Sequence, residues 1–204
     1  SITFENIDVK SSTMSYSSGN GIGALVGHVA ASSTMPDDVV TFKNINLDSS
    51  FSISASSSNI VGGLAGSTTS ANLIIENVTS NAQIYARTMA GGLVALVSGS
   101  RKNIVSISNS IVGGSILCTT LSDLGGFIGL TTTNGSVSIS NSVSNVNLGA
   151  ASSHTSTTNS FIGRCSSTNV TVKNAYYNSA YSNGANEIGI SSNSSYLATL
   201  DSKY

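Results

Sequence analysis

The hexapeptide VSISNS stands at Val105–Ser110 and again at Val137–Ser142, 32 residues further on. With the Asn of that block as a ruler, the chain yields Asn6, Asn44, Asn77, Asn109, Asn141 and Asn174, at steps of 38, 33, 32, 32 and 33 residues. A near-constant period of this size marks a repeat architecture and outweighs any single element. Two residues before each Asn stand Phe4, Phe42, Ile75, Ile107, Ile139 and Val172. Four before stand Ile2, Val40, Leu73, Val105, Val137 and Val170. Apolar, β-favouring residues at period two predict a strand with one buried face. Each Asn shares their parity, so the six are expected to point inward as a ladder of stacked amides that satisfies a turning backbone.

Two further blocks follow. Seven residues past each Asn stand Thr13, Phe51, Ile84, Ile116, Leu148 and Tyr181, mostly apolar. The third block is GALVG (23–27), GGLAG (62–66), GGLVA (91–95), GGFIG (125–129) and NSFIG (159–163). Helical periodicity is absent, and the many Gly and β-branched residues oppose it. A unit this short buries its apolar face only by stacking on its neighbours, about 4.8 Å apart. The expected fold is therefore all-β: a parallel β-solenoid, or β-helix, of five to six coils, with about 33 residues and three strands per coil. Composition agrees. Only 8% of residues are charged but 39% are apolar, which suits a folded chain kept soluble by Ser, Thr and Asn.

Charges fit the same register. One residue before the Asn, the column is Glu5, Lys43, Glu76, Ser108, Ser140 and Lys173; four after it, Lys10 is expected above Asp48. The first coil carries extra residues in AASSTMPDD (30–38), an expected surface loop that marks a working face or is merely tolerated. After Asn174 the pattern decays into a tyrosine-rich tail. Residues 1–175 are expected to form the array and 176–204 a C-terminal cap. The opening SITFEN has no Met and no leader, as expected of a processed chain or a piece of a longer one. Ile2 already belongs to the first strand, so a bare edge is expected there, covered by upstream coils or another copy.

GGLAG and GGFIG, each followed by a turn region and then IIENVTS or VSISNSV, resemble GLUG repeats. These Gly-Leu-any-Gly modules occur in large secreted and surface-attached proteins often described as adhesins. The resemblance spans residues 1–175 through five copies. Ala95 in the third copy and Asn159-Ser160 in the fifth depart from it. It implies an extracellular or cell-surface location and supplies no catalytic residues.

Enzymatic chemistry finds no foothold. Enzymes built on β-solenoids gather carboxylates on adjacent coils, yet Asp37 and Asp38 alone are close, and strand neighbours face opposite ways. His28 and His154 lack partners at zinc spacing. No G-x-S-x-G or S-x-x-K occurs, and strands rather than helices follow the Gly pairs. No metal or cofactor is expected. A net charge of −1 gives no footprint for nucleic acid, and no apolar run is long enough for a membrane helix. Cys118 is expected as a buried small hydrophobe, with Cys165 in another column. Sequons stand at Asn77, Asn134, Asn169 and Asn193; Asn77 is expected inward and unmodified, the other three open to glycosylation.

One column resists the alternation. In the third block Leu25, Leu64, Leu93, Phe127 and Phe161 should point inward. The next residues, Val26, Ala65, Val94, Ile128 and Ile162, should then point outward, with Leu96 and Leu130 extending them. Either this apolar stripe is a lateral interface, or the glycines twist the strand so that both faces are internal. The function expected is a non-enzymatic structural or adhesin-like protein of the cell surface. It would be a rigid stalk or filament subunit whose partners are other copies, upstream coils, surface glycans or other surface proteins. A polysaccharide lyase-like or hydrolase-like β-helix is the alternative.

Overall fold

A computed structural model describes residues 1–17, 21–31, 38–58, 60–99, 103–120, 123–132, 135–150, 158–166, 169–178 and 188–190. The first coil comprises β1 (Ile2–Val9), β2 (Thr13–Ser15), β3 (Ile22–Gly23) and β4 (Val26–Ala30). Next come β5 (Val39–Leu47), β6 (Ser52–Ser54), β7 (Ile60–Gly62) and β8 (Ala65–Thr69). They are followed by β9 (Asn72–Ser80), β10 (Gln83–Ala86), β11 (Met89–Gly91) and β12 (Val94–Ser98). In the coil after that, β13 (Asn103–Ser108) continues as β14 (Ile111–Val112), before β15 (Ser115–Cys118), β16 (Asp123–Gly125) and β17 (Ile128–Thr131). Then follow β18 (Gly135–Ser144), β19 (Asn147–Ala150), β20 (Thr158–Asn159) and β21 (Ile162–Cys165). Strands β22 (Asn169–Tyr177) and β23 (Ile188–Ile190) stack on the last of these.

Corresponding strands pair in parallel and in register, so the chain is a parallel β-solenoid of about 33 residues per turn. It has about four turns, fewer than the five to six coils expected. The Asn ruler counts strands, whereas a turn is the step between strands. The second and third sheets hold five strands each, hence four steps.

Four sheets run along the axis rather than three, because the third block is two strands. The chain bends at Gly63–Leu64 between β7 and β8, and the same bend recurs in each coil. Backbones close on one another there. A Cβ added to Gly91 would collide with the Val94 carbonyl oxygen, and the same holds for Gly125 and Ile128. Where Asn159 replaces the glycine, its buried side-chain amide donates to the Gly163 carbonyl and holds the bend another way.

The ladder Asn residues correct the sequence reading most sharply. Asn6, Asn44, Asn77, Asn109, Asn141 and Asn174 all have φ between 48° and 58°, the left-handed region that Asn enters more readily than other side chains. One such residue breaks the alternation. The Asn therefore faces outward, and the next residue, Ile45 or Val78 for example, turns inward and is buried. The amides still form a ladder. Asn44 Nδ2 donates to Asn6 Oδ1 at 3.0 Å, Asn77 to Asn44 at 2.7 Å and Asn174 to Asn141 at 3.2 Å.

After the fourth and fifth Asn, Asn109 and Asn141, the next residue is serine, and it too is buried. The backbone N–H of Val78 donates to Ser110 Oγ at 3.2 Å, and that of Ser110 to Ser142 Oγ at 3.1 Å. Each hydroxyl donates to the carbonyl two residues back, Ser108 and Ser140, so no polar atom of these groups is stranded.

The interior is one apolar cluster stacked in columns. Phe4 lies over Phe42 with centroids 5.3 Å apart, and Phe127 over Phe161 at 5.8 Å. In the second sheet Met14 and Ile53, not Thr13 and Phe51, sit in the column of Ile84, Ile116 and Leu148. The turn Asp48–Phe51 lengthens the second coil and shifts that count.

Asn77→Leu is expected to lower the free energy of unfolding by about 1–3 kcal/mol, through strain at positive φ and loss of the amide bond. Asn77→Gly, which relieves the strain alone, should cost about half as much. Denaturant unfolding of both variants checks this. Equal losses would mean that the dihedral angle contributes nothing.

Candidate functional site

With the core filled, what the molecule offers is its outer faces. On the first sheet the outward columns are Val39, Asn72, Ile104, Ser136, Asn169 and Thr3, Thr41, Ile74, Ser106, Ser138, Thr171. Hydroxyls and amides dominate, interrupted by Ile74 and Ile104, which are exposed beside a groove of about 250 Å3. The third outward column holds Glu5, Lys43, Glu76 and Lys173, and Lys43 reaches Glu76 at 4.0 Å. Lys10 pairs with Asp8 of its own strand rather than Asp48, and this hydrogen-bonded ammonium, helped by the Asn46 amide, lowers the Asp8 pKa. Hydrogen bonds from Ser50 lower that of Asp48.

The second sheet turns outward one column of polar side chains, Thr13, Ser52, Gln83, Ser115 and Asn147. Thr13 and Ser52 hydroxyls meet at 2.9 Å, and Ser115 Oγ donates to Gln83 Oε1. Beside it runs a second column, Ser15, Ser54, Tyr85, Leu117 and Gly149. Tyr85 is exposed and Leu117 half-buried there, and Gly149 leaves a step, giving a groove of about 190 Å3.

The third-block stripe is core, not a lateral interface. Ala65, Val94, Ile128 and Ile162 are fully buried and Val26 half-buried. The bend at the Gly-Leu step folds the fourth sheet onto the third, so the residues on both sides of the Gly–Leu step are internal. Leu96 and Leu130 do face outward but are half-buried, in the row of His28, Ser67 and Arg164. His28 Nδ1 meets Ser67 Oγ at 2.7 Å.

Cys118 is buried and pairs in register with Ala86 and Ala150, and Cys165 is buried beside Thr131; neither is in a disulfide. Among the described residues no group of His, Cys, Asp or Glu is placed to hold a metal. No described helix is long and apolar enough to cross a membrane. Asn169 is exposed where β22 begins, and Asn77, expected inward, is exposed as well. Asn134, Asn193, His154, the insertion at 32–37 and most of the expected cap lie outside the described residues.

Among the described residues the one buried acid is Asp123, on β16. Arg164 of β21 reaches it from the next coil, Nη2 to Oδ2 at 2.9 Å. Burial pushes this carboxyl above the usual carboxylate range, and the guanidinium opposes the rise without cancelling it. The sequence hid this pair because its members stand 41 residues apart in different blocks.

Comparison with protein-family models, with curated proteins and with solved structures gave no match.

Two variants test these assignments. Ile128→Lys places an unpaired charge in the core at a cost of several kcal/mol, so the protein should fail to fold. Circular dichroism checks it, and a folded variant would return the stripe to the surface. For Asp123 the folded-state pKa lies above the ordinary value of 3.8. Its contribution to stability is therefore fully present below pH 3.8 and is lost as pH rises through the folded-state value. Asp123→Asn should match the parent below pH 3.8 and exceed it at pH 7, as urea midpoints would reveal. A variant weaker than the parent at pH 7 would mean that the Arg164 pair outweighs desolvation.

Proposed function

We propose that this chain is a non-enzymatic structural protein of the cell surface or extracellular space. It is a rigid segment of an adhesin-like, GLUG-type array that acts as a stalk or filament subunit. The observation that carries the reading is the continuity of the stacking. Backbone pairing, buried side-chain columns and outward amide ladders run along one axis from coil to coil. A body bonded in this way resists bending and shear and holds its faces in fixed relation. Its partners are other copies or further coils stacked at its ends, and surface molecules met by its Ser/Thr/Asn faces.

A carbohydrate-cleaving β-helix would bring two carboxylates to one groove. Among the described residues no groove is lined by two acids. Asp8 and Asp48 share a corner with Lys10, Glu5 and Glu76 are separated by Lys43, and Asp123 is buried against Arg164. Negative-stain imaging of native material, with antibody labelling of intact cells, tests the proposal. Uniform rods or filaments and surface label are expected. Isolated compact particles confined to the cell interior would overturn it.

A further inference from the structure

Resting on that surface-protein reading, we propose that the groove on the second sheet binds an acidic glycan, a pyranose chain bearing carboxylates, laid along the solenoid axis. Tyr85, 41% exposed, and Leu117 stand on successive rungs about 4.8 Å apart, a spacing that suits the apolar C–H face of a sugar ring. Gly149 on the following rung has no side chain, so the surface steps down and leaves room for the next ring.

Two residues back along the same strands, Gln83, Ser115 and Asn147 form a parallel row of amides and a hydroxyl. The Ser115 hydroxyl gives its proton to Gln83 Oε1, so the Gln83 amide N–H groups are not used in that bond. An apolar strip beside a hydrogen-bonding row is what a sugar requires, since it is apolar on its ring faces and polar at its rim.

Charge sets the class of sugar. Arg87, two residues beyond Tyr85, is exposed at the corner of the sheet. No carboxylate stands in either outward column of this sheet among the described residues. A guanidinium two residues along the chain from a groove lined by no carboxylate favours a carboxylate-bearing ligand, which it can hold through two parallel hydrogen bonds.

The probe is hexagalacturonate, titrated calorimetrically into the full chain at low salt, with neutral maltohexaose as comparison. Measurable binding is expected, at least tenfold tighter for the acidic hexamer. Tyr85→Ala and Arg87→Ala should each weaken it at least tenfold with unchanged circular dichroism, whereas Tyr16→Ala, at another exposed tyrosine, should not. A flat titration, equal binding of the neutral hexamer, or indifference to both groove variants would each overturn the site while leaving the rod reading to its imaging test. Mass spectrometry should recover the hexamer intact. Shortened products would overturn both this binding site and the non-enzymatic reading.

Discussion

Everything in this molecule follows from the requirement that each coil carry the same side chain over the one before it. A strand-turn unit of about 33 residues has no core of its own, and it acquires one by stacking on its neighbours. That demand falls on the backbone first. At six positions the chain must turn through positive φ, a conformation costing an ordinary L-residue roughly 1–2 kcal/mol. Asn meets the demand, and at Asn6, Asn44, Asn77, Asn141 and Asn174 its amide also bonds to that of a neighbouring coil. Local conformation and long-range cohesion are thus met by one side chain, which accounts for its recurrence at this position.

The Gly-Leu bends answer a second demand of the same kind. At Gly91 and Gly125 there is no room for a Cβ, so the backbones of the third and fourth sheets approach closely at the bend. The interior under the first sheet is filled by Phe42, Ile75, Ile107 and their neighbours. Leu64, Leu93, Phe127 and Phe161, at the bend itself, are buried in the same cluster. The buried Asp123 and the half-exposed Arg164 that reaches it join β16 of one coil to β21 of the next.

The solenoid and the register of its first sheet were legible in the sequence because stacking makes chemistry repeat at a fixed interval, so that Phe42, Ile75 and Ile107 announce one another. The sign of φ was not. An Asn in an extended strand and an Asn in a left-handed turn occupy the same place in a period-two pattern, and only the turn sends the side chain outward. The doubled burial around Leu64–Ala65 and Phe127–Ile128 was visible as an anomaly. Its cause, two strands where one was expected, lay in a bend that glycine permits without requiring. The Tyr85 groove left no trace, because it depends on what stands two rungs away: a leucine above and, beyond it, a glycine.

The described amide ladder bonds share one more property. Asn44 gives to Asn6, Asn77 to Asn44, Asn174 to Asn141, Asn46 to Asp8 and Asn178 to Asn145. In each the later residue donates and the earlier accepts, so the dipoles add instead of cancelling. Such a body is vectorial, like an arrow. Along these edges one direction offers hydrogens and the other offers lone pairs, and reversing the body end for end would set like against like.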